Sequence, residues 1–273
     1  MRLISFIIFL CCLCTSLRAG SFSNDFAVVF IDAGSEAKYG IFPVDRSILA
    51  SAIVKAKELQ ARAVILKFFV DLPRKGASDA LLSQALTNLP VVLQANLVDA
   101  ETNSNPLPER FYLPMHAATQ FAGERGMLPL PIFSANAHAI GFIDFTSTRI
   151  PLLETFKGRT VKSLFVCAIE LAIRQQALIT PGEKIAFGRK SLALDPRNSI
   201  RIKLPARDDL SYIPFDKFLS GEIASRQIRG KVVIMGYDGP QMHSFQTPIG
   251  PVKAHRLFVY ALQSLYDQFD TSK

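Results

Sequence analysis

The chain has 273 residues, a formal charge of +8, 49% hydrophobic residues and four cysteines. That apolar share excludes a disordered or low-complexity chain, and a domain of about 250 residues can bury a core without disulfides. The basic residues are scattered and no nucleic-acid motif accompanies them, so the charge points to anionic surfaces or ligands and excludes nucleic acid as a partner.

Met1-Arg2 followed by an apolar run over 3–13 and then small residues predicts a secretory signal over residues 1–19, with Ser16 or Ala19 last before cleavage. The run is shorter than the roughly 20 residues that span a bilayer, which makes an uncleaved anchor the weaker reading. Three of the four cysteines lie in this segment; Cys167 is left without a partner and reads as a buried, inert thiol. Loss of Arg2 and Arg18 with the signal lowers the charge from +8 to +6.

The mature chain alternates strand and helix. Residues 26–32 form a buried strand. Asp45 caps a helix over 46–60, whose Leu49, Ala52, Ile53 and Ala56 share one face. Residues 63–70 are a second strand, broken by Asp71-Leu72-Pro73. Ser78 or Asp79 caps a helix to about Asn88, and Pro90 leads into a third strand over 91–95. Strand after helix at this spacing predicts parallel pairing with right-handed crossovers. Prolines 106, 108, 114, 129 and 131 then make residues 99–137 a long surface excursion. Beyond it come a strand over 139–145, a helix over 161–177 and a paired or edge strand over 199–204. A buried strand over 232–235 ends at Gly236. Asp238-Gly239-Pro240 turns the chain, and a last helix carries Leu257, Ala261, Leu262 and Leu265. The fold class is α/β: a single domain over residues 20–273, with a central, mostly parallel sheet, helices on both faces and a long Pro-rich excursion.

Five segments in order resemble the type-two CHASE sensory domain. Ala27-Val28-Val29-Phe30-Ile31-Asp32 is similar to the family's opening strand, and Gly40-Ile41-Phe42-Pro43-Val44-Asp45-Arg46 to its Pro-rich segment. Asp79-Ala80-Leu81-Leu82 and Gly141-Phe142-Ile143-Asp144-Phe145 follow. Gly230 to Gly236, Thr247-Pro248-Ile249-Gly250 and Ala254-His255 fill the closing strand, turn and helix start. Three departures stand out: His243 where members often carry an acid, Lys67 where an Asp is usual, and a shortened hairpin from Asp144 to Arg149. The resemblance implies a bacterial sensory input domain working outside the cytoplasm, periplasmic or secreted. Because the chain stops at Lys273, it is expected to lack a transmitter of its own. It would then act through an envelope protein or a separately encoded membrane receptor or kinase.

In an open α/β sheet, ligands bind beyond the carboxyl ends of the strands. Asp32 emerges there, as a ligand or metal contact or, more simply, as a cap for the loop after it. Asp238 and His243 lie in the loop leaving the last buried strand. Paired with Asp238 or His255, His243 could bind metal or report pH. Thr247 in the following turn, Asp45 and Arg46 at a helix start, and Asp144 past its strand complete the candidate ligand-binding set. An inward Lys67 requires a carboxylate partner or a shifted pKa, and Asp71 is the nearest candidate acid. The four histidines match no zinc spacing. No nucleophile elbow, His-Glu-x-x-His or phosphate loop is present, and Phe187-Gly188-Arg189-Lys190-Ser191 fails the last pattern. The expectation is a non-catalytic module, with no cofactor, that binds an unidentified small molecule or envelope protein. The alternative is an interaction module that has lost ligand sensing. Catalysis would require Asp32, Asp144 and His243 to converge.

Overall fold

Continuous runs of Val, Ile, Leu and Phe become strands buried on both faces. A computed structural model describes residues 22–74, 76–98, 105–146 and 148–269; the signal expected over residues 1–19 lies outside them. Five parallel strands build the sheet: β1 (Phe26–Ile31), β2 (Ala63–Leu66), β3 (Val91–Leu97), β4 (Ala139–Phe142) and β5 (Val232–Tyr237). Their spatial order is β1-β5-β2-β3-β4. Ile213–Pro214 pairs with the outer side of β1, and Gly126–Met127 adds the only antiparallel strand of this seven-stranded sheet, beside the end of β3.

Six helices matter to the argument: α1 (Ala33–Tyr39), α2 (Arg46–Glu58), α3 (Ser78–Ala85), α4 (Leu164–Ile173), α5 (Phe215–Ser220) and α6 (Ala254–Phe269). Strand side chains alternate between the two faces. Val29, Ile31, Val64, Leu66, Val233 and Met235 pack with α2, α3 and α5. Val28, Phe30, Ile65, Val232 and Ile234 pack with α4 and α6. Each such buried aliphatic side chain contributes roughly 1.5–3 kcal/mol. Gly141 lets α4 begin hard against β4, for a Cβ there would stand 2.4 Å from the Leu164 Cα.

The doubly covered parallel sheet, its two helical layers and, of the expected excursion, the described residues 105–137 follow the sequence expectation. Within that region Pro131 opens a short helix, Pro131–Asn136, at a position where its missing N–H costs nothing. Several details differ. α1 was expected as loop; it buries only Ser35 and so shows no apolar period. The helix expected over 161–177 begins after Ser163, which caps it through Val166 N–H, because Arg159–Lys162 is the second strand of a hairpin with Leu153–Phe156. Residues 178–193 fold as three antiparallel strands around tight turns at Gly182 and Gly188, both at positive φ. Neither Ser78 nor Asp79 caps α3; Ala77 stands there without a side-chain bond, and the Asp79 carboxylate is held by Arg46 and by Arg74 N–H.

Candidate functional site

β1 and β5 run in register to Ile31 and Tyr237, so Asp32 and Asp238 leave the sheet side by side at its carboxyl edge. Asp32 accepts from Ser35 N–H at 2.9 Å and from the Ser35 hydroxyl at 3.0 Å, which caps α1. Its second oxygen accepts from Tyr212 Oη at 3.3 Å. The capping reading is therefore correct, and the same carboxylate reaches across to a second segment. Asp238 is 7% exposed. Its carboxylate takes Arg256 Nε at 3.1 and 3.2 Å, and its carbonyl takes Lys253 Nζ at 2.5 Å. Arg256 continues to Asp208 at 2.7 Å, and Asp208 also accepts from Tyr260 Oη at 2.6 Å. The Arg256 guanidinium lies 5.5 Å from the Tyr212 ring centroid.

The result is one charged network joining the ends of β1 and β5, the 208–212 segment and the first turns of α6. Burial, then the Asp32 and Asp238 charges, raise the pKa of Tyr212. Burial and the Asp208 hydrogen bond raise that of Tyr260. Both phenols therefore stay protonated as donors. Sequence reading found the two strand-end acids and missed Tyr212, Asp208, Lys253 and Arg256.

Next to this network, Tyr237 N–H donates to His255 Nδ1 at 2.8 Å, which leaves the ring proton on Nε2 and the imidazole neutral. Gly236 permits that approach, since a Cβ would meet Nδ1 at 2.9 Å. Lys67 lies just past Leu66, the partner of Met235, and is 5% exposed. Its Nζ is 4.6 Å from the Phe258 ring centroid, and among the described residues no carboxylate pairs with it. Asp71 does not compensate it; that residue offers its carbonyl to Asn105 instead. Burial brings the Lys67 pKa from 10.5 to about 7. Burial, with the neighbouring Lys67 charge, holds His255 well below its usual range. Gln94, on neighbouring β3, is also buried, with its Oε1 unpartnered.

The other predicted residues go elsewhere. His243 is exposed on the hairpin Ser244–Thr247/Gly250–Lys253, edge-on to Phe245 at 4.9 Å, and no hydrogen bond joins its ring to Asp238 or His255. Thr247 closes that hairpin, donating to Gly250 O at 2.7 Å and accepting from Ile249 N–H at 3.2 Å. Asp45 caps α2, and the Ser47 hydroxyl and N–H hold its carboxyl below the usual range. Arg46 is buried in an ion pair with Asp79 at 2.5 Å. Asp144 accepts from Leu97 N–H at 2.9 Å beyond β4, four strand spacings or about 19 Å across the sheet from Asp32. Asp32, Asp144 and His243 do not converge. Cys167 is buried, its thiol pushed up to about 12 by burial.

Asp144 faces Glu154, which is fully buried and, when protonated, donates to the Asp144 carboxylate. Burial, then the Asp144 charge, raises Glu154 well above its usual range; burial also raises Asp144. A carboxyl whose folded pKa lies above its unfolded one binds more protons when folded, so stability falls as pH rises from about 4.5 through the folded value. Glu154→Gln keeps the shape and removes the ionisation. Its urea-unfolding free energy should exceed wild type by about 1–2 kcal/mol at pH 7, with the gain gone at pH 4. A less stable variant at pH 7 would contradict this.

No curated protein and no solved structure matches the chain. Among the described residues no helix is long and apolar enough to cross a membrane. The CHASE2 domain family model matches residues 13–271, essentially the whole chain. With the closing strand, turn and helix in the order the sequence resemblance requires, the chain belongs to the CHASE2 family of extracytoplasmic sensory domains.

Proposed function

We propose that this CHASE2 chain is a non-catalytic sensory module that recognises a small molecule or a partner protein at the carboxyl edge of its sheet, around Asp32, Asp238 and Arg256. Its state would pass to a separately encoded receptor or kinase. The observation that carries this reading is the Asp238–Arg256–Asp208 network. It ties two central strand ends to the start of the last helix through charged groups, so a ligand competing for Arg256 would loosen α6 from the sheet. Such sheet edges are the usual ligand sites of open α/β folds.

A thermal-shift screen against metabolites, anions and divalent cations tests it. A ligand at 100 times its Kd stabilises the native state by about 2.7 kcal/mol, which for this size raises Tm by roughly 5–10 °C. The hit should vanish in Arg256→Gln and Asp238→Asn. A hit unchanged in both variants overturns the assignment to this edge.

A second reading, protein interaction without ligand sensing, is favoured by exposed apolar side chains on two adjoining loops. Ile41 is 71% exposed and Leu72 70%, with Phe69 three residues before Leu72. The loops are joined by the Phe42–Phe68 contact at 5.8 Å and by Arg74 donating to Val44 O at 2.7 Å. A silent ligand screen, with partner capture lost in Ile41→Asp and Leu72→Asp, would select this reading.

A further inference from the structure

A cavity of about 510 Å³ opens at the opposite, amino-terminal edge of the sheet. That volume falls within the range of metabolite sites. Arg62, Pro90 and His138, each just ahead of β2, β3 or β4, form one wall. The 3-10 turn around Phe111 and the last turns of α4 form the others. Four permanent cations line it, Arg62, Arg110, Lys162 and Arg174, against the single carboxylate of Glu170.

That carboxylate is already used: it accepts from Lys162 Nζ at 2.6 Å and from Ala177 N–H at 2.9 Å. Arg62 is paired with Asp25 at 3.2 Å, but its enclosed Nε bonds to nothing. Arg110 spends hydrogen bonds on the carbonyls of Ser134 and Ala135, and Arg174 has no carboxylate partner among the described residues. Two guanidinium groups that line the cavity are thus left without a carboxylate partner among the described residues. Phe111, Leu113, Ile140 and Leu171 supply apolar wall.

The backbone at Arg174 decides which substitution tests its side chain. The residue ends α4 at φ 61, in the left-handed region where glycine is the ordinary choice. Gln60, Lys157 and Asn198 share this conformation, so at Arg174 it marks no site by itself but makes glycine the substitution that removes the side chain without backbone cost.

We infer that this cavity binds a small organic anion, with one carboxylate or phosphate head held by Arg174 and Arg110 and an apolar body against Phe111 and Leu171. Planar guanidinium forks bind both kinds of oxyanion through paired hydrogen bonds. This site goes beyond the carboxyl-edge reading and lies at the other end of the strands.

The test is calorimetric titration of the purified protein at low salt with benzoate, phenyl phosphate, neutral benzamide and inorganic phosphate. Benzoate or phenyl phosphate should bind saturably, with the stronger of the two naming the head group; benzamide and inorganic phosphate should bind at least about tenfold more weakly. Arg174→Gly should weaken binding about tenfold while leaving Tm equal or higher, since glycine relieves the φ strain. Arg110→Gln should show a similar loss, and Arg256→Gln at the far edge none. Equal binding of benzamide, unchanged binding in both cavity variants, or no saturation by about 10 mM would overturn the inference. Each of those results leaves the carboxyl-edge reading untouched.

Discussion

Replacing Lys67 by methionine should raise Tm by roughly 6–12 °C near pH 6, a gain of about 3 kcal/mol, and by little above pH 10.5. Lys67 is enclosed between His255 and Phe258 with no acid beside it, and burial lowers its pKa from 10.5 to about 7. A folded pKa below the unfolded one means that, between pH 7 and 10.5, the unfolded chain binds more protons. Stability therefore rises with pH across that window. Below pH 7 both states are charged and the whole cost of burying the cation is present, on the order of 5 kcal/mol before the site relaxes. Methionine matches the stem in length and carries no charge, so its advantage is largest at low pH and fades through the same window. His255 acts in the same sense: holding it neutral costs stability as pH falls below about 6.5. Removing Lys67 lightens that cost as well. Urea unfolding of both proteins at pH 6, 8 and 10.5 checks the result. A gain independent of pH would mean that packing, not charge, is what changed.

The sheet was legible because the runs at 26–31, 63–66 and 232–237 are apolar at nearly every position, which only double burial explains. Asp32 and Asp238 were legible for a related reason: a polar residue ending such a run must emerge at an edge. The rest of the network was not. Asp32 meets Tyr212 across 180 residues, and no local pattern encodes that meeting. Arg256 sits one residue past a packing histidine at the start of an amphipathic helix, where a solvated arginine is the ordinary expectation. His243 misled in the opposite way. Its polar loop suggested a site, yet pairing of Ser244 with Lys253 makes that loop a hairpin and leaves the imidazole in solvent. The amino-edge cavity was invisible, since its four cations come from four separated segments and each alone reads as a surface charge.

Arg46 carries the second large effect. Its side chain is 4% exposed and that of Asp79 16%; the pair ties the first turn of α2 to the first turn of α3. Arg46 also donates to Leu72 O at 2.7 Å and lies 5.1 Å from the Phe133 ring centroid, while Asp79 accepts from Arg74 N–H at 3.0 Å. Asp79→Ala strands a guanidinium in an apolar setting and should cost about 3–5 kcal/mol, a fall in Tm of roughly 6–20 °C. The double change Arg46→Met with Asp79→Leu should recover most of that loss, because apolar side chains of similar volume remove the cost of desolvating both ions. A coupling of about 2 kcal/mol or more between the two positions in urea unfolding would mark the pair as a structural pin. A loss below about 1 kcal/mol for Asp79→Ala is what an exposed pair gives, and would make Arg46 free enough to serve a ligand instead.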